Sequence, residues 1–235
     1  MSLAATRPLL AAVTNRHLFA HDDASALLHL AAWAGRVARA GIDIIQIRER
    51  GVDDAALVRL VRHVVSATQG SACRVLVNDR LDVALAAGAA GVHLPGAGIP
   101  VRRAREMAPE GFLIGRSVHG VEEARMIANE GGADFLTFGT VFESASKPPG
   151  HRVSGVVELQ RACAATALPI LAIGGMTFDR VPAIARAGAA GIAAVRLFAT
   201  PPTGAGDRGL THAVEAVRSA WERRATGSGW VEAGS

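Results

Sequence analysis

Short apolar runs rich in β-branched residues alternate with longer stretches in which apolar positions recur every three or four residues, and the pair repeats eight times. The short runs predict strands over PLLAAVT (8–14), DIIQIR (43–48), RVLVN (74–78), GVHL (91–94), FLIGRSV (112–118), DFLTFG (134–139), PILAIG (169–174) and GIAAVR (191–196). The longer stretches predict helices over ASALLHLAAWAGRVARAG, DAALVRLVRHVVSATQG, LDVALAAG, VRRAREMA, GVEEARMIANEGG, VVELQRACAATA and FDRVPAIARAG, with a last helix near 210–223. Several stop at Gly41, Gly70, Gly88 or Gly188, the residue type that a left-handed C-terminal cap favours.

Strands that read as near-continuous apolar runs belong to a parallel sheet covered on both faces. Eight such units predict an α/β fold, a single (β/α)8 TIM barrel over residues 1–224, followed by a mobile Gly/Ser-rich tail at 225–235. A doubly wound open sheet is the alternative. Eight units are long for it, and no GxGxxG follows the first strand. The segments AGAAGVHL (87–94) and AGAAGIAAV (187–195) echo one another, as expected wherever a helix ends at glycine and turns into a buried strand.

Composition narrows the function classes. Half of the 235 residues are hydrophobic, and the two cysteines, Cys73 and Cys163, have no CxxC pair nearby, so neither a disulfide framework nor a zinc site is expected. A reducing cytoplasm fits this usage. The segment MSLAATRPLLAAVTNRHLF has an apolar run too short to span a bilayer, and no export or membrane signal is expected. The net charge of +4 raises the question of nucleic acid. Against it, the arginines are scattered, aromatics make up 4% and there is no tyrosine, so basic runs and stacking platforms are both missing.

In a barrel of this kind, chemistry sits at the C-terminal ends of the strands and in the loops beyond. Those ends carry Gln46, Arg48, Glu49 and Arg50, then Asn78, Asp79 and Arg80, then His93, then Arg116, Ser117 and His119. Ser144, Ser146 and Lys147 follow the sixth strand, Gly174 and Gly175 the seventh, and Val195 and Arg196 the eighth. Backbone N–H groups at Gly174, Gly175, Val195 and Arg196 are candidates to converge on a phosphate, because the loops after strands seven and eight are the usual phosphate site of the fold. Lys147 is the only lysine among 25 Lys plus Arg, and a compact ammonium in a Ser/Pro loop suits a phosphate oxygen. A Schiff-base lysine of an aldolase needs burial or a neighbouring cation, which this loop does not suggest.

Six ordered segments, IQIRERG, VNDRLDVALAAGAAGVHLP, IGRSVHGVEEA, DFLTFGTVFESASKP, LPILAIGGMT and AGAAGIAAV, resemble the thiamin phosphate synthase superfamily over roughly residues 8 to 200. That superfamily includes the synthases and the thiazole tautomerases of TenI type. The resemblance implies a (β/α)8 barrel acting on a small phosphorylated heterocycle, with no nucleic acid or membrane partner and with homo-oligomerisation left open.

The two branches place different demands on the residues. For a synthase, the resemblance assigns Gln46, Arg48, Arg50, Asn78, Ser117, Ser144, Ser146 and Lys147 to substrate binding and Asp79 to Mg²⁺. Synthases carry a second metal carboxylate after the strand-four HLG, and here the run reads HLPGAGIP with Gly98 at that place. A tautomerase needs no metal or other cofactor. It moves a proton with one base of near-neutral pKa, a role the resemblance assigns to His119, and Arg116 is then expected to meet the substrate carboxylate. The expectation is therefore a thiazole tautomerase-like isomerase, with thiamin phosphate synthase, a transferase, as the alternative and a binding-only relative as a second. His93 is expected in the inner packing, Asp79 as a helix N-cap in the tautomerase reading, and Glu49 as a partner of Arg48.

Overall fold

The computed structural model describes residues 7–19, 22–144, 150, 152–199 and 206–223. Eight parallel strands close into a barrel in chain order. They are β1 (Leu9–Val13), β2 (Ile44–Ile47), β3 (Arg74–Asn78), β4 (Gly91–Leu94), β5 (Leu113–Val118), β6 (Phe135–Phe138), β7 (Ile170–Ile173) and β8 (Gly191–Ala194). The closing pair is β1 with β8, with Leu9 opposite Gly191 and Ala11 opposite Ala193. Closure rules out the open doubly wound sheet, and each expected strand is present.

Helices α1 (Asp23–Arg39), α2 (Asp54–Ala67), α3 (Leu81–Ala87), α4 (Val101–Met107), α5 (Val121–Glu130), α6 (Gly155–Ala164) and α7 (Val181–Arg186) follow the first seven strands in turn. Local chemistry starts and stops them. The Asp22 and Asp53 carboxylates accept from Ser25 N–H at 2.9 Å and Ala56 N–H at 3.0 Å, which satisfies first-turn donors of α1 and α2. Gly88 ends α3 at φ 71°, and its N–H turns back to the Ala84 and Leu85 carbonyls.

Two further helices close the chain, α8 (Arg196–Ala199) and α9 (Gly206–Glu222). The expected eighth strand thus stops two residues early, and Arg196 opens α8 instead. A four-residue helix has too few turns to print a periodicity on the sequence. Trp33 of α1 fixes it in place by donating its indole N–H to the Phe198 carbonyl at 3.1 Å. The tail expected at 225–235 lies outside the described residues.

Alternation along the strands divides the apolar residues into two cores. The larger lies between sheet and helices, whereas Leu9, Ala11, Val13, Ile44, Leu76, Leu113, Phe135, Leu171 and Ala193 pack inside the barrel. The inner core survives only because glycine faces the bulkiest ring: a Cβ on Gly115 would stand 2.3 Å from Phe135. Toward the C-terminal ends the inward positions turn polar, with Gln46, Asn78, His93 and Thr137 in place of aliphatic residues.

Candidate active site

Near the end of β2 Gln46 is buried, and beyond the strand Arg48 is half-buried and Arg50 exposed. Thr14, buried at the end of β1, accepts the Arg48 backbone N–H at 2.9 Å. Glu49 is buried. Its Oε2 accepts the Arg16 N–H at 3.0 Å and lies 3.5 Å from Arg16 Nη1, with both side chains under one-tenth exposed. Arg16 Nη1 also donates to the Arg50 carbonyl at 2.8 Å. The partner of Glu49 is therefore Arg16, and the expected Glu49–Arg48 pair is corrected. Burial, and then the charge of Arg50, pushes the Arg48 pKa down, marking a cation that an anionic ligand would stabilise.

Beyond β3, Asp79 is exposed and takes φ 66°, the left-handed region that aspartate tolerates better than most residues. Its N–H donates to the His93 carbonyl at 2.9 Å. The cap position of α3 is Arg80, one residue later, so Asp79 is not the N-cap it was expected to be. Arg80 instead ties α3 to α2, donating to Asp54 Oδ1 at 2.5 Å and to the Asp82 carboxylate at 2.9 and 2.7 Å.

The turn after β4 faces Asp79. A Cβ on Gly98 would lie 3.2 Å from Asp79 Oδ1, yet also 2.9 Å from Pro95 Cδ and 3.1 Å from the Pro95 carbonyl oxygen. Gly98 N–H donates to that same carbonyl at 2.8 Å, so the turn is closed tightly around a residue without a side chain. Arg116 holds it from below: Nη2 donates to the Gly96 carbonyl at 2.7 Å and Nη1 to the Ile99 carbonyl at 2.9 Å. A guanidinium engaged this way, and buried, is a clamp on the turn rather than the carboxylate receptor expected of Arg116. Its Nε is buried without a hydrogen-bond partner among the described residues.

His119, past β5, is exposed, and its Nδ1–H donates to the Gly139 carbonyl. A carbonyl only accepts, so Nδ1 carries a proton and the ring is oriented with Nε2 as its free nitrogen edge. That nitrogen faces the β4 turn, 3.7 Å from where a Cβ on Gly96 would stand. The His119 backbone N–H donates to Glu123 Oε2 at 2.7 Å. Ser117 and Ser144 are half-buried at the same end of the barrel. Ser146 and Lys147 lie outside the described residues.

Gly174 and Gly175, after β7, take φ 104° and 62°. A Cβ on Gly174 would lie 2.5 Å from Thr140 Cγ2, and one on Gly175 would lie 2.3 Å from the Glu143 carbonyl oxygen. These glycines are required by the loop after β6 pressing on them, a reason separate from the phosphate contact expected of them. Arg180 Nη1 donates to the Gly175 carbonyl at 2.6 Å, with its guanidinium 4.6 Å from the Phe142 ring centroid. Val195 is half-buried and Arg196 exposed at the adjoining strand end.

Between these loops lies a buried polar floor. Gln46 Nε2 donates to Asn78 Oδ1 at 2.9 Å and lies 3.2 Å from His93 Nδ1, and His93 Nε2 lies 3.0 Å from Thr137 Oγ1. Burial, reinforced by Arg48 and Arg116, pushes the His93 pKa down to about 4, so the ring is neutral at physiological pH. His93 thus sits in the inner packing as expected, but as a hydrogen-bonding member of it. Thr14, Arg16, Thr137 and Arg180 escaped the sequence reading. For Thr14 a signal existed, since it stands at the exit of β1 as Gln46 does at that of β2.

The profile of the family described as Thiamine monophosphate synthase matches residues 10–198. The chain is 36% identical over 190 residues to "Putative thiamine-phosphate synthase" of Geobacter sulfurreducens, covering 81% of this chain and 86% of that relative. It is 41% identical over 165 residues to "Thiamine-phosphate synthase" of Methanoregula boonei, covering 69% and 74%. A solved structure titled thiamine phosphate pyrophosphorylase, from Pyrococcus furiosus, is similar with a TM-score of 0.75 and 29% identity, covering 92% of this chain and 96% of that one. Relatives at this identity carry the synthase name, which overturns the expectation of a thiazole tautomerase and removes the acid/base role assigned to His119 on that basis.

Proposed function

The chain belongs to the thiamine monophosphate synthase family, and from that premise we propose that it is a thiamin phosphate synthase, a transferase joining a pyrimidine-methyl diphosphate to a thiazole phosphate. The ring nitrogen of the thiazole forms a bond to the pyrimidine methylene carbon, the carbon–oxygen bond to diphosphate breaks, and diphosphate leaves with the electron pair. What carries this reading is the similarity, over most of the barrel, to proteins named thiamine-phosphate synthase.

In this reading the mouth divides its labour by charge. Arg48 and Arg50 bind the diphosphate and stabilise the negative charge that grows on it as it leaves; Ser146 and Lys147, expected to bind substrate as well, lie outside the described residues. The Thr14 hydroxyl sets the Arg48 backbone for this task. Gln46 and Asn78 orient the pyrimidine on the polar floor, with Ser117 and Ser144 at its edge. The N–H groups at Gly174, Gly175, Val195 and Arg196, at the ends of β7 and β8, take the thiazole phosphate.

The family reaction implies Mg²⁺. Among the described residues no three metal-ligating side chains converge, and Asp79 is the carboxylate that fits at this mouth. One carboxylate together with substrate phosphate oxygens is a set that Mg²⁺ accepts. Asp79 would therefore hold the ion, which when bound supplies charge neutralisation on the diphosphate. Position 98 adds no ligand.

The test is formation of thiamin phosphate by the purified protein from the pyrimidine diphosphate, aromatic thiazole phosphate and Mg²⁺. Multiple turnovers are expected. Absence of product across millimolar Mg²⁺, with a known synthase active in the same assay, overturns the reading.

A further inference from the structure

The floor of the barrel mouth carries a hydrogen-bond order that single residues do not explain. Gln46, Asn78, His93 and Thr137 come from β2, β3, β4 and β6, and one strand is skipped. In register, Gly115 of the skipped strand stands between His93 and Phe135, and the His93 ring reaches past that strand to Thr137 on β6. Gln46, His93 and Thr137 are each less than one-tenth exposed, so water cannot substitute freely for a lost partner.

A primary amide has two protons on nitrogen and none on oxygen. With Gln46 Nε2 turned to both Asn78 Oδ1 and His93 Nδ1, both protons are spent, and His93 Nδ1 must be the ring's acceptor. A neutral imidazole then carries its proton on Nε2, where it donates to Thr137 Oγ1. Gln46 keeps its oxygen as an acceptor, and Asn78 keeps both amide protons as donors. We propose that His93 is a positioning residue: locked as the neutral Nε2–H tautomer between Gln46 and Thr137, it fixes which edge of the Gln46 and Asn78 amides meets the substrate. Nothing in the bond-forming step requires His93 to touch the substrate. Its effect is exerted on binding through the amides, and this effect rests on the synthase reading given above.

The experiment has two arms. Long-range ¹H–¹⁵N correlation spectra of the ¹⁵N-labelled protein, without substrate, should show one histidine in the neutral Nε2–H form. Thr137→Val should shift that Nε2–H resonance, and His93→Asn should remove it. In steady-state kinetics, His93→Leu should raise KM for the pyrimidine diphosphate about tenfold, the scale of a lost buried hydrogen bond. His93→Asn, whose side-chain oxygen offers Gln46 an acceptor in place of Nδ1, should recover most of that loss, with kcat moving less than KM in both variants. An Nδ1–H tautomer, or equal KM in the Leu and Asn variants, overturns the proposal. The spectra need no turnover, so they judge the tautomer lock even if the wild-type protein makes no thiamin phosphate, an outcome that would instead sink the functional reading.

Discussion

The floor and the rim of the barrel mouth are built on different principles. On the floor, Gln46, Asn78, His93 and Thr137 satisfy one another from four strands, with burial and without net charge. On the rim, Arg48, Arg50 and Asp79 present charges at half-buried or exposed strand ends. The bonds through His93 orient the floor in the resting protein and leave the Gln46 oxygen and the Asn78 amide protons to face the mouth. In the proposed reading, the rim completes its electrostatics when the diphosphate binds. Substitutions on the rim should therefore change turnover with little loss of stability, and substitutions on the floor should do both.

The largest effect expected is on the rim. Arg48→Ala should lower kcat/KM for the pyrimidine diphosphate by about a hundredfold to a thousandfold, the range for removing one preorganised donor to developing charge, while the melting temperature stays within a few degrees. Unfolding of the variant would merge the two regions and break the distinction. Next comes Gly115→Val beneath the floor, which drives side-chain atoms into the Phe135 ring and should destabilise the fold by about 3 kcal/mol in denaturant titrations. An unchanged unfolding midpoint would show that the inner core has slack.

The floor should also give stability a pH dependence. His93 has a folded pKa of about 4 against 6.5 for the free side chain, so the unfolded chain binds more protons between those values. Stability is fully present above pH 6.5 and falls as the pH drops toward 4, by up to about 3 kcal/mol from this one group. Guanidinium unfolding of the wild type between pH 7 and pH 4 should show this slope, and His93→Asn should flatten it. An identical slope in both proteins would assign the dependence elsewhere. The smallest effect belongs to the outer surface: Arg80→Ala cuts the ties to Asp54 and Asp82, and because these pairs are exposed it should cost no more than about 1 kcal/mol.

The barrel was legible because eight apolar runs and the glycine stops between them repeat one physical unit, and observed strand ends differ from the read ones by at most two residues. Rim residues such as Arg48 and Asp79 were legible because they stand at strand exits. What escaped depends on contacts between positions far apart in the chain. Nothing local in GRSVH shows that Arg116 reaches back to the Gly96 and Ile99 carbonyls, or that Glu49 pairs with Arg16. Strand parity placed His93 inside, but its partner Thr137 lies two strands away, across a glycine. The branch is not legible at His119 and Gly98, two positions, whereas similarity to proteins named thiamine-phosphate synthase runs over most of the barrel.

The closed turn around Gly98 bears on how this lineage can change. A carboxylate at position 98 would sit beside Asp79, but its Cβ cannot enter while Pro95 stands where it does. Gly98→Asp alone meets a steric penalty, and relaxing Pro95 alone gains no ligand. A second acidic group at this mouth therefore takes two substitutions, one that makes room at Pro95 and one that supplies the carboxylate.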